Sequence, residues 1–526
     1  MIAIEKLIYY LNHWFGSTSV NVQLNKILLI IIFGNLCLNS FTQENGKEIE
    51  ILHANFMDFN KKETKARRLK GDVQFRHGNA IMSCDSAYFF SDDNYVDAYG
   101  HVHINQGDTL HLYGKFLKYD GNTKTAQIRE NVKLYDQKST LTTNYLDYKM
   151  TEEIGYYTNG GNIVNGENKL KSEVGYYYAK PKIFYYHKKV VITNPQYVIK
   201  SDTLKYNTIT KTAFFFGPTD ITSKDNYIYC ENGWYNTATN ISQFNKNAYL
   251  RSTKQYLSGD SLYYERNTGI GRAFMHIFLI DSTQKIIITG NYANYREKPQ
   301  YAMITDSAVM MQYGEKDTLF VHSDTMKSIA LDTTNVDKIF RAYYHVKIFK
   351  PDLQGKCDSL TYSTTDSTMR MFHAPILWSD ENQMISDYIE FHMANQKMNT
   401  VNLYEGSFII SKADSLERYN QIVGKKMVGY FRNNELYKVF VSGNGQTIYY
   451  PKDKAEIIGV DKAACSDMNI FIENKKINKI VFLTHPDSVL YPLSKAPAAE
   501  LKFKGFKWFG NLRPKTKNDI FTWVKE

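Results

Sequence analysis

Proline is scarce in this chain, 11 in 526 residues, set against 41 tyrosines and 30 phenylalanines. So few ladder-breaking residues among so many aromatics exclude a disordered or proline-rich linker and favour β-strands. Cysteine is rarer still, with five, and no C-x-x-C spacing occurs, so zinc-ribbon and thioredoxin-type chemistry lack their residues. Walker A, G-x-G-x-x-G, G-x-S-x-G and H-E-x-x-H are likewise missing, which removes the phosphate cradle, the dinucleotide turn, the nucleophile elbow and the zincin helix. No enzyme, catalytic residue, metal or cofactor is expected. The net charge of +10 comes from 64 basic and 54 acidic residues spread along the chain, too mild an excess to point to nucleic acid. Long hydrophobic runs are also missing, apart from Ile27–Leu38 after Lys26. That run is too short to span a bilayer but suits a secretory signal. Residues 1–42 are therefore expected to be a signal region, with cleavage ahead of Gln43. An uncleaved anchor is the alternative, and a lipoprotein reading at Cys37 is weaker because Leu36 is bulky.

What the sequence does have is a repeated phrase. "YLSGDSLYYE" (256–265) places Gly259, Asp260, Leu262 and Tyr264 in an order that returns as Ser201, Asp202, Leu204 and Tyr206, and again as Cys357, Asp358, Leu360 and Tyr362. Taking the acid position as an anchor, the series runs through Asp85, Lys115, Asn144, Glu173, Asp202, Glu231, Asp260, Asn291, Asp324, Asp358 and Asp387, at intervals of 29 to 34 residues. A period held so tightly marks a stacked-repeat architecture. The residue before each anchor is always small, the third before it is nearly always a large aliphatic, and the fourth after it is aromatic except at Ser328. Side chains alternate faces along a strand, so the positions three and one before the anchor share a face, as do those two and four after it. The parity slips between them, which predicts a bulge or sharp bend at the anchor. A second strand follows, as in "AYGHVHI" (98–104). Two bent strands per ~29 residues stack into a long folded sheet with an apolar interior. The array is predicted over 50–483, with looser rungs at Lys426 and Asp467, followed by a basic and aromatic tail over 484–526.

These residues resemble the OstA-like family, which includes the LptA proteins of lipopolysaccharide transport and the N-terminal domain of LptD. The resemblance lies in the small-Asp-x-Leu-x-Tyr phrase and the Gly-x-Val-x-Ile strand after it, as in "SCDSAYFF…AYGHVHI" (83–104). It implies an all-β fold, an elongated β-jellyroll or solenoid of stacked antiparallel V-shaped strands whose apolar groove shields acyl chains. The groove would then be lined by the inward columns Leu112, Leu117, Tyr119, Leu141, Leu146, Tyr148, Ile199, Leu204, Tyr206, Leu257, Leu262, Tyr264, Leu360 and Tyr362. The implied partners are lipopolysaccharide or lipooligosaccharide and other transport components, met by edge-strand addition. The implied location is the periplasm, in association with the outer membrane. The chain departs from the family in its long array, and after the array too few residues remain for an LptD-type barrel. A β-solenoid spacer or surface adhesin with a packed core is the alternative, and a carbohydrate-active β-helix the remote one, since no paired-carboxylate site is evident.

Other constellations read more plainly. Cys84, Cys230 and Cys357 occupy the small column several rungs apart, beyond the ~7 Å reach of a disulfide, and are expected to be free and buried; Cys465 also looks isolated. His101, His103 and His111 take outward parity, which disfavours a metal site. The anchor acids are read as bend formers that bond to local backbone. The tail is read as a cap on the last rung, or as a docking element for a membrane or partner.

Overall fold

The structure, a computed structural model, describes residues 48–524 except 61–64, 108–109, 137–138, 315–316, 333–335, 395–396, 433–434, 454–455 and 475. The candidate signal region and Cys37 lie outside the described residues. From Glu50 to Tyr491 the described chain is nearly all antiparallel β, with 34 strands hydrogen-bonded into one sheet and no α-helix. Most neighbours in space are neighbours in sequence. Gln255–Glu265, for example, pairs with Ile241–Arg251 on one side and Ile270–Asp281 on the other. The strand Asp487–Tyr491 extends the pairing past Leu483 by joining Val460–Glu473.

The bend forms as the columns require, through a device the columns do not reveal. Gly259 and Leu262 both face inward and are buried, so the parity slips at Asp260. The register with the following strand jumps there from Ser258 to Ser261. The extra residue sits on that following strand, where Met275 and His276 adopt left-handed backbone at φ 56° and 49°. Left-handed pairs recur at Gly71 and Asp72, Gly100 and His101, Glu130 and Asn131, Lys188 and Lys189, Lys246 and Asn247, and Tyr344 and His345. Two left-handed residues in an antiparallel strand turn it sharply, which is why each strand folds into two arms. Close approach on the inner side of the bend explains the small column. A Cβ at Gly114 would lie 2.4 Å from Ile128 Cγ2.

The anchors do not mainly bond to local backbone as expected; they pair across strands with the left-handed residues. Asp85 meets His101 at 2.8 Å, Asp260 meets His276 at 3.0 Å and Asp324 meets His345 at 2.8 Å. Glu173 meets Lys189 at 2.5 Å and Glu231 meets Lys246 at 3.0 Å. These pairs form an acid–base ridge along the outside of the bend. Being solvent-exposed, these pairs contribute little to stability, so the ridge sets register more than stability. Backbone donation to an anchor does occur, from His276 to Asn291 and from Gly443 to Asp467.

The two arms face one another and enclose the interior. Its first part is a continuous apolar core running from Ile49 to Ala308, and its second runs from Val321 to Ile470. Cys84, Cys230, Cys357 and Cys465 are buried in it and unbridged. Burial pushes the Cys84 and Cys230 thiols up to about 12, so they serve as small apolar fillers. The first part of the tail closes the last rung, where Asp487–Tyr491 pairs with Val460–Glu473, but the rest does not project into solvent. It folds back over the outer face of the array, where its Phe509 and Leu512 pack on Ile376 and Trp378.

Candidate functional site: the trough between the arms

One column measures how the arms stand relative to each other. The aromatic four residues after each anchor points inward near the tip of one arm, so its exposure reports whether the trough is shut at that rung. Tyr119 and Tyr148 are 0% exposed and Tyr177 is 2%. Tyr206 and Tyr235 are half-buried. Tyr264 is 38% exposed and Tyr295 is 37%. Beyond them Tyr362 is half-buried and Phe391 is buried again. The opposite arm follows the same course. Met82, Leu112 and Leu141 are buried, whereas Ile228, Leu257 and Ile288 pack only partly against the core. The array is thus shut over its first rungs and opens in its middle, where an apolar trough faces solvent.

The shut section is held by bonds that cross the mouth from tip to tip. His77 Nδ1 lies 2.5 Å from the Tyr119 hydroxyl. Gln106 Nε2 donates to Met150 O at 3.4 Å. The buried Asp136 accepts from Lys182 Nζ at 2.9 Å and from the Tyr177 hydroxyl. Each of these joins residues 41 to 46 apart in sequence, from one arm to the other. No bond of this kind crosses the mouth between Tyr197 and Arg296 among the described residues.

Of the residues expected to line the groove, Leu112, Leu117, Tyr119, Leu141, Leu146 and Tyr148 are packed core in the shut section. There is no space beside them for another chain in this conformation. Ile199, Leu204, Leu262 and Leu360 are buried near the bends. Tyr206, Leu257 and Tyr362 are half-buried, and Tyr264 is open. The open trough brings together Tyr206, Leu257 and Tyr264 with Ile228, Tyr235, Ile288 and Tyr295, which were not singled out although they belong to the same columns. Burial raises the pKa of the Tyr264 phenol even here, so the ring stays neutral.

The outward histidines are engaged in pairs, His101 with Asp85 and His103 with His111. His103 and His111 stack across neighbouring strands with Nε2 and Nδ1 3.1 Å apart. Burial, and then the neighbouring His111, lowers the His103 pKa, so the His103 ring is held neutral at pH 7. No group of three or more histidine, cysteine, aspartate or glutamate side chains could hold a metal ion among the described residues.

A bent, stacked antiparallel array enclosing an apolar trough is the class of protein that this geometry defines. The chain matches the OstA-like protein family over residues 46–202 and 198–260. Over residues 46–260 the chain is therefore similar to OstA-like proteins. No match was found among curated proteins. Among solved structures, LptH of Pseudomonas aeruginosa, the LptA-homologous periplasmic component of the conserved lipopolysaccharide transport device, aligns with 27% of this chain and 95% of its own. The identity is 7% and the TM-score 0.21, and at that score the likeness carries no weight.

Proposed function

We propose that the chain is a non-enzymatic lipopolysaccharide-transport protein that holds acyl chains in the open middle of its trough and relays them toward the outer membrane. The observation that carries this reading is the exposed inward column at Tyr264 and Tyr295. Partly buried apolar side chains aligned over successive rungs leave a stripe that water solvates poorly, and an acyl chain lying along it would remove that surface from water at ~25 cal/mol per Å². Successive rungs offer nearly equivalent sites ~9.6 Å apart, so a chain could slide with little net change in free energy. The OstA-like match and the signal-like run Ile27–Leu38 support a periplasmic location. The terminal strands Phe56–Asp58 and Asp487–Tyr491 offer unpaired edges for other transport components.

In the shut section, the packed interior from Leu69 to Tyr186 favours the spacer role instead: those rungs hold the open section at a distance from the N-terminal end. The test is binding of lipopolysaccharide by the purified chain with Leu257→Asp or Tyr264→Asp. Retention of lipid should be lost while the thermal midpoint moves by only a few degrees. Unchanged retention would sink the reading.

A further inference from the structure

Past Tyr491 the chain reverses along the array. The linker Pro492–Glu500 contains two short 3-10 turns and no buried residue. From Leu501 the chain then crosses the outer face of the sheet, meeting strands in the reverse of chain order. Beneath it, strand register sets Gln354, Trp378, Gln383, Ile410, Gln421 and Ile448 side by side on consecutive strands. Glutamine thus recurs on every second strand, at ~9.6 Å, with a large apolar residue between.

The tail reads this row in steps of six. Gln421 Nε2 donates to Leu501 O at 2.8 Å, and the Phe503 N–H donates to Gln421 Oε1 at 3.0 Å. Gln383 repeats the pair with Lys507 O and the Phe509 N–H, both at 2.7 Å. Gln354 Oε1 accepts from Arg513 Nε at 2.6 Å. Six extended residues would span roughly 20 Å. A turn inside each step, Phe506 N–H to Phe503 O and Leu512 N–H to Phe509 O, shortens it toward the spacing of the glutamines. Apolar sockets fill the intervals: Phe408, Ile410 and Tyr419 take Phe503, Phe506 and Trp508, and Ile376 and Trp378 take Phe509 and Leu512. The exposed Lys502, Lys504 and Lys507 alternate with these anchors.

We propose that the glutamine row is a peptide-docking site that takes the C-terminal segment of a second copy as well as its own, so that copies exchange straps. The strap joins no β-ladder. It is held by glutamine side chains and sockets, and those contacts are the same whichever copy supplies the segment. The exposed linker, bounded by Pro492 and containing Pro497, is the hinge such an exchange needs. Cis and trans occupancy then differ only through the effective concentration set by the linker.

The test mixes two full-length copies carrying different tags, one with Ile376→Cys and the other with Leu512→Cys, under mild oxidation. A chain carrying both substitutions reports that the geometry permits the bond in cis. Ile385→Cys with Phe509→Cys is a second pair at the same socket. The expected result is a disulfide-linked heterodimer that increases with protein concentration and incubation time. Adding Gln383→Leu to the first copy removes about one hydrogen-bond pair from its own strap and from the exchanged one alike, so it should speed heterodimer formation roughly tenfold and leave the final yield unchanged. Efficient bonding within the doubly substituted chain, with no heterodimer from either mixture at any concentration, would overturn the proposal.

Discussion

Tyr148 and Tyr264 occupy the same column of the same repeat, yet one is wholly buried and the other 38% exposed. Their strands bend in the same way, so the difference lies at the arm tips. In the shut section the last inward residues of the opposite arm, His77, Gln106 and Asp136, reach across the mouth. Their counterparts in the middle bond within their own edge instead. Asn194 donates to Asn168 and accepts from the Gln196 N–H. Ser223 and Ser252 bond to the turns after them, and Asp281 accepts from the Thr283 and Gln284 amides. A tip residue long enough to cross makes a shut rung, and one satisfied by its own turn leaves the rung open. One repeat thereby yields both a rigid section and a trough.

The largest expected effect lies in the column itself. Tyr148→Asp would place an uncompensated carboxylate in a packed interior and should cost about 4 kcal/mol. Tyr264→Asp, in contact with water, should cost less than about 1 kcal/mol. Chemical denaturation of the two variants measures the contrast, and equal losses would break it. A smaller effect tests the latches. Asp136→Asn weakens its bonds to Tyr177 and Lys182 and should cost about 2 kcal/mol, with faster hydrogen exchange confined to rungs before Val190. Exchange that rises uniformly along the array would show that the tips do not hold the shut section.

The smallest effect concerns acid, at the rung where the strap ends. His322 is buried against Phe521, and its Nδ1–H donates to Ala308 O at 3.0 Å. Burial lowers its pKa, opposed by the Ala308 carbonyl and Asp324 and assisted by His345 and Lys347. The folded state therefore binds fewer protons than the unfolded one just below the ordinary histidine value. Its contribution is fully present above about pH 6.5 and is lost as pH falls through the lowered value. Thermal midpoints at about pH 7.5 and about pH 5 should differ more in the wild type than in His322→Gln. An identical pH response in both would remove His322 from the account.

The repeat was legible in the sequence because it rests on local rules: a small residue where the bend is crowded, and inward parity at Leu262 or Leu204. The left-handed pairs were not, since residues as unlike as Lys188, Met275 and Tyr344 adopt that backbone, and only glycine would have advertised it. The opening of the trough was invisible for a different reason. It depends on whether Asp136 finds Lys182 and Tyr177 across the mouth, a pairing 41 to 46 residues long that no column records. The tail showed its composition but not its path. Its signal was split between the row of glutamines at Gln354, Gln383 and Gln421 and a six-residue step beginning at Leu501, and neither half means much without the other.

One column is shut in the first rungs and open in the middle, and the proposed lipid route rests on that contrast. A photo-crosslinking residue placed in turn at Tyr119, Tyr148, Tyr264 and Tyr295, with the outward Tyr263 as control, tests it directly in cells that make lipopolysaccharide. Lipid adducts are expected at 264 and 295 and none at 119, 148 or 263. Adducts at 119 and 148 equal to those at 264 would contradict the proposed route, because the lipid would then occupy rungs that the tip bonds hold closed.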